Sequence, residues 1–169
     1  MVSDMKLRCW YSIHGAIEVS PRPLAMLACV HPRVVGLAYN FEPDEERWRR
    51  GQFQRQEATT PAILVSRIGP GDEGFIAADK RYEEWLSTMS DEPHRDFVLA
   101  HLHRTRQTVN LIPVDFTLGM TKLARVCEQL CGFLARETDG LIQVFQEGFF
   151  SPQGESLLPH CPRHKLKTK

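Results

Sequence analysis

The sequence predicts an α+β fold: a single-domain sandwich of a mixed, mostly antiparallel sheet with helices packed on it. Three observations lead there. Short strand-like runs and helical patterns follow one another roughly as βαβ–(α)–βααβαββ, not as a strict βαβ repeat. One segment, Met120 to Arg136, sets a wide apolar arc against a polar one, as a helix does when it lies on a sheet with one side in water. Finally, 169 residues with 42% hydrophobic and 25% charged side chains are enough to bury one core of ordinary size.

In chain order, Lys6 to Ile13 predicts the first strand, with Leu7, Cys9, Tyr11 and Ile13 alternating against Lys6, Arg8 and Ser12. Ser20 followed by Pro21 predicts a helix start, because the hydroxyl can cap and the proline has no N–H to leave unpaired. This helix runs through Leu24, Leu27 and Ala28 and stops near His31, since the residue before Pro32 is pushed out of the helical region. Val34 to Phe41 predicts a second strand. Glu42 to Glu57 places Glu42, Asp44, Glu45 and Glu46 ahead of Arg47, Arg49, Arg50 and Arg55, the order that suits a helix macrodipole. A surface helix or an ordered excursion is expected there. The apolar run inside Pro61 to Ile68 has the pattern of a central strand buried on both faces.

Gly69, Pro70, Gly71 and Gly74 mark a turn between that strand and a helix. Tyr82, Trp85, Leu86 and Met89 fall on one face of that helix, and Ser90 caps another whose first turn is Asp91, Glu92 and Pro93. Phe97, Ala100, His101 and Arg104 share one side of the second helix. Val109, Leu111, Pro113 and Phe116 predict a strand in which Pro113 implies an edge or an irregularity. On the long helix, Met120, Leu123, Val126, Cys127, Leu130, Cys131 and Leu134 form the apolar arc, with Gln129, Gly132 and Arg136 on the polar side. Thr138-Asp139-Gly140 turns the chain into a strand from Leu141 to Phe145. Phe149-Phe150, Ser151 to Gly154 and Leu157-Leu158 then predict a closing hairpin.

The charges cancel, 21 Lys plus Arg against 21 Asp plus Glu, but they are unevenly placed. His160 to Lys169 contains four bases and no acid, which divides the chain into a domain over 1–159 with a net −4 and a flexible basic tail over 160–169 with +4. A neutral whole has no long-range field to attract nucleic acid or anionic lipid. No apolar run approaches the ~20 residues needed to cross a bilayer. The chain opens without a basic stretch leading into an apolar one, and its five cysteines are odd in number and lack framework spacing. A reducing cytoplasm is expected.

Candidate chemistry is sparse. His94 and His101 share a helix face but His103 points elsewhere, so the three suit one ion only if the helix ends between them. His160, Cys161 and His164 form a compact trio that lacks the fourth ligand of a structural zinc site. Cys127 and Cys131 lie on the apolar arc, where a thiol is inert. The Gly69 to Gly74 loop has no lysine for phosphate and carries two acids that would repel it. No Gly-x-Ser-x-Gly elbow occurs. These patterns lead to no expected catalytic residue, cofactor or metal site. Trp48 and Phe53 among arginines are the best contact candidates, because tryptophan and arginine are enriched in binding hot spots. The expected partner-binding set is Trp48, Arg49, Arg50 and Phe53.

From Thr117 onward, the amphipathic helix, Thr138-Asp139-Gly140, the strand and the Gly148-Phe149-Phe150 hairpin with Gly154-Glu155 resemble the C-terminal part of several small bacterial α+β families. Some of these proteins are encoded beside polymorphic toxins as immunity proteins. The resemblance spans the last third of the chain and carries over no catalytic residue. Together with the missing catalytic constellation and the stretch around Trp48, it leads to a non-enzymatic protein-binding protein, an immunity or adaptor protein whose partner is a toxin or another protein. Self-association as a homodimer through a sheet edge is the other expected partnership. The alternative is a small hydrolase or metal-dependent enzyme using His94, His101 or His103 with Asp115.

Overall fold

The computed structural model describes residues 10–30, 36–89, 91–115 and 119–159. Eight strands form one sheet in the order β2-β3-β4-β5-β1-β6-β7-β8. They are β1 (Tyr11–Gly15), β2 (Leu37–Glu42), β3 (Arg50–Arg55), β4 (Ile63–Ile68), β5 (Gln107–Pro113), β6 (Gly140–Val144), β7 (Gly148–Phe150) and β8 (Ser156–Pro159). Four helices join them: α1 (Pro23–Val30), α2 (Glu73–Ser87), α3 (Arg95–Arg104) and α4 (Met120–Glu137). The α+β class is as expected. Among the described residues every strand pairing is antiparallel.

The period-2 pleat sorts side chains into two faces. On one, Tyr11 and Ile13 of β1 stand beside Leu111 and Val109 of β5 and beside Val144 and Ile142 of β6. The apolar arc of α4 covers this face, burying Leu123, Val126, Cys127, Leu130 and Leu134 in the main core. Met26 and Val30 of α1 join the same core. Gly132 is buried, although the helical pattern puts it on the polar side, and Met120 is exposed. On the opposite face, Leu141, Phe149 and Leu158 pack against Leu86 of α2 and against Val98 and Leu102 of α3. Tyr82, Trp85 and Met89 border this smaller core, on the face the sequence assigns them.

Several expectations are corrected. The polar stretch after Glu42 is not a helix: a turn leads into β3, which pairs with β2 and β4. Its alternation, Gly51 and Phe53 inward against Arg50, Gln52 and Gln54 outward, is that of a strand with one wet face. Strand β4 is not buried on both sides, since Leu64 points to solvent between buried Ile63 and Val65. Pro113 ends β5, a central strand, and so marks no sheet edge. Helix α1 begins at Pro23, and the Ser20 hydroxyl is buried without a hydrogen-bond partner, so it caps nothing. Pro21 serves instead as an acceptor, its carbonyl receiving the Trp48 indole N–H at 2.8 Å. Helix α3 starts at Arg95, later than the Asp91 to Pro93 first turn. The start of the first strand at Lys6 to Cys9, Val34-Val35, Ser90, Phe116, and the tail with His160, Cys161 and His164 lie outside the described residues.

Candidate functional site

Helices α2 and α3 pack over β6 and β8, and among the described residues nothing covers the same face of β2, β3, β4 and part of β5. The chain tolerates this because the outward positions of these strands carry mostly amides, hydroxyls and charges, which remain solvated at no cost. Strand register lines them up in rows. One row runs Asn40–Gln52–Leu64–Ile112 across four strands. The next runs Glu42–Arg50–Ser66–Asn110–Ser12 across five, about 19 Å at the usual strand spacing. Between the rows lies a shallow groove of about 340 Å³ lined by Asn40, Arg50, Gln52, Leu64, Ser66 and Ile112.

Much of this surface is held in place. Ser12 Oγ donates to Asn110 Oδ1 at 2.7 Å, and the Trp10 indole N–H reaches Ser12 Oγ at 3.1 Å and Asn110 Oδ1 at 3.3 Å. Gln52 Nε2 donates to Gln54 Oε1 at 2.9 Å. Apolar contact area is also present: Trp10 is 43% and Leu64 37% exposed. Amides offering both donors and acceptors around a few fixed apolar side chains suit a protein surface better than an ion. The row pairs the one base, Arg50, with Glu42 as its cross-strand neighbour, so the groove is a poor phosphate binder.

The expected partner-binding residues are split by the fold. Trp48 and Phe53 are each 0% exposed and belong to the main core, so neither side chain can reach a partner. Phe41 meets both edge-to-face, and the Arg67 guanidinium lies 5.0 Å over the Trp48 ring while Arg67 Nε donates to the Trp48 carbonyl. Burial holds the Arg67 pKa below its usual value, with nearby Arg49 acting in the same direction. Arg49 is exposed and pairs with Asp72 at 3.2 Å. Arg50 alone of the four stands on the open face. Asn40, Gln52, Leu64 and Ile112 were not expected there; for Asn40 and Gln52 the signal was polar residues at every second strand position, and Leu64 and Ile112 carried none.

The histidines do not assemble as the enzyme alternative needs. His94 is exposed at the start of α3. His103 is exposed and faces Glu83 at 3.4 Å. His101 is buried, with its Nε2 bonded to the His14 carbonyl at 2.8 Å. Asp115 lies beyond the far end of β5, about 20 Å along the strand from its α3 end. Among the described residues, no group of three or more His, Cys, Asp and Glu side chains is placed to hold a metal ion.

His14, which the sequence patterns did not single out, occupies a buried polar layer between the sheet and α2. Its Nε2 is 2.9 Å from Gln143 Oε1, and the Tyr82 hydroxyl donates to that same oxygen. An oxygen accepting from both neighbours requires the proton on His14 Nε2, which leaves Nδ1 to accept from Thr108 Oγ1 at 3.4 Å. Burial pushes the His14 pKa down from 6.5 to about 4, a fall that the Gln143 hydrogen bond opposes and the neighbouring His101 reinforces. His14 is 3% exposed and neutral, a packed structural group that no substrate can reach.

No family model, curated protein or solved structure matches this chain. No helix among the described residues is long and apolar enough to cross a membrane.

Proposed function

We propose that this is a non-enzymatic protein-binding protein, an immunity or adaptor protein of the cytoplasm, that holds its partner on the uncovered face of β2 to β5. One observation supports the reading above the others: among the described residues no helix covers half of one sheet face, yet side chains there are held by hydrogen bonds around Leu64, Ile112 and Trp10. A partner that covers Leu64 removes apolar surface from water, while the amides satisfy its polar groups. The three described cysteines are free thiols, in keeping with a reducing compartment. The C-terminal resemblance favours a toxin as that partner, because some proteins of the families it resembles are immunity proteins.

Growth rescue tests this. Cells expressing the neighbouring toxin survive with the wild-type chain and die with Leu64→Arg or Asn40→Arg, both exposed positions where the fold tolerates substitution. Full rescue by both variants refutes the assigned face. Failure of the wild-type chain to rescue refutes the immunity role.

A further inference from the structure

A second cleft lies on the opposite side of the molecule, where α4 and the end of α1 meet β6, β7 and the turn after β7. Its volume is about 500 Å³, within the range of small-molecule sites. The floor is apolar, formed by Tyr11, Ile142, Val144 and Phe150. Gln129, Gly132 and Arg136 line one wall, three and four residues apart, and therefore share a single face of α4.

Two features make this cleft unlike a packing defect. Gln129 Oε1 is buried and has no hydrogen-bond partner, an arrangement that is destabilising unless something else supplies a donor. Gly132 weakens the middle of α4, where most residues would favour the helix more. A Cβ at that position would meet Arg136 Nη1 and the Pro152 carbonyl, each at 3.3 Å, so the glycine lets the guanidinium and that carbonyl close against the helix beside Gln129. Arg136 is an exposed residue whose Nη1 lies beside Gly132, and the exposed Glu128 also lines the cleft. The Cys29 thiol at the α1 side is neutral, with burial pushing its pKa up to about 11.

We infer that this cleft binds a small, flat apolar monocarboxylate that carries one N–H or O–H donor. Arg136 takes the carboxylate, in the geometry that favours guanidinium over ammonium. Gln129 Oε1 accepts the donor, and the apolar body rests on the half-buried Phe150. Glu128 repels a second negative charge. The site lies on the face covered by α4 and is independent of the partner surface.

Indole-3-acetate is a suitable probe because its N–H, aromatic body and carboxylate can each be altered separately. In an NMR titration of the full chain it binds with a dissociation constant of about 1 mM, as expected of a fragment. The largest shifts fall on the Gln129 side-chain amide and the Gly132 backbone. Indole-3-acetamide, without the charge, and 1-methylindole-3-acetate, without the donor, each bind about tenfold more weakly. Arg136→Gln abolishes the preference for acetate over acetamide. Gln129→Leu abolishes the preference for the free N–H and raises the melting temperature of the unliganded chain, since it removes a buried acceptor with no partner. The inference is overturned if the three probes bind alike, or if Gln129→Leu retains the N–H preference. Lack of saturable shifts at about 10 mM probe overturns it as well.

Discussion

The neutral His14 beneath α2 makes stability depend on pH in a calculable way. In the unfolded chain its imidazole takes a proton near 6.5, whereas in the folded chain burial delays this to about 4. The folded pKa is depressed, so the stabilisation is complete above pH 6.5, falls as the pH drops, and is gone below about 4. Within that window the slope is about 1.4 kcal/mol per pH unit, for a total of about 3 kcal/mol. Tyr82, Thr108, Gln143, Phe149 and His101 are the groups that face His14, and of these only His101 also gains a proton on acidification. Burial lowers the pKa of His101 too, which adds a loss of the same sign, while Arg104 and Asp139 act on it in opposite directions. Asp44, held low by Arg47, affects stability only further into acid. Urea unfolding at closely spaced pH values measures the effect. His14→Gln keeps a donor for Gln143 but cannot be protonated, and its stability should fall only by the His101 share between pH 6.5 and 4. Parallel curves for wild type and variant would refute the assignment.

Four further outcomes follow from the packing. Trp48→Ala should cost about 3–5 kcal/mol in urea unfolding, because it empties a fully buried site and strands the Pro21 carbonyl. Gly51→Ala should cost about 1–3 kcal/mol, since the new methyl would lie 2.3 Å from a ring carbon of Phe41. Arg49→Ala should change stability by less than about 1 kcal/mol, because its pair with Asp72 is exposed. Cys29, with its pKa raised from 9.0 to about 11, should be alkylated by iodoacetamide at pH 8 roughly 100-fold more slowly than a free thiol, as read site by site in mass spectra.

Elements whose pattern is local were legible in the sequence. Helix α4 could be placed to within a residue because its arc of Leu123, Cys127, Leu130 and Leu134 repeats over several turns and most of its polar side, Gly132 and Gln129 apart, faces water. The β1 alternation likewise put Tyr11 and Ile13 on the core side. Trp48 was misjudged because the groups that bury it, Phe41, Arg67 and the Pro21 carbonyl, come from three separate segments. The charge order from Glu42 to Arg55 resembles a helix, and it conceals a hairpin because Gln52 and Gln54 face an uncovered sheet half. The doubly buried reading of Ile63 to Val65 failed for the same reason: nothing in that run says where α2 and α3 will lie. The candidate face is a property of the coverage, and coverage is decided by contacts far apart in sequence.

Calorimetric titration of the partner against the wild-type chain, Leu64→Arg and Lys122→Glu tests the central claim most directly. The claim predicts that Leu64→Arg weakens binding by about 30-fold or more, the scale of a hot-spot loss, while Lys122→Glu on the exposed side of α4 changes it less than about twofold. Both variants must melt as the wild-type chain does. Unchanged affinity for Leu64→Arg, or a loss confined to Lys122→Glu, would contradict the claim and move the partner to the helical side of the molecule.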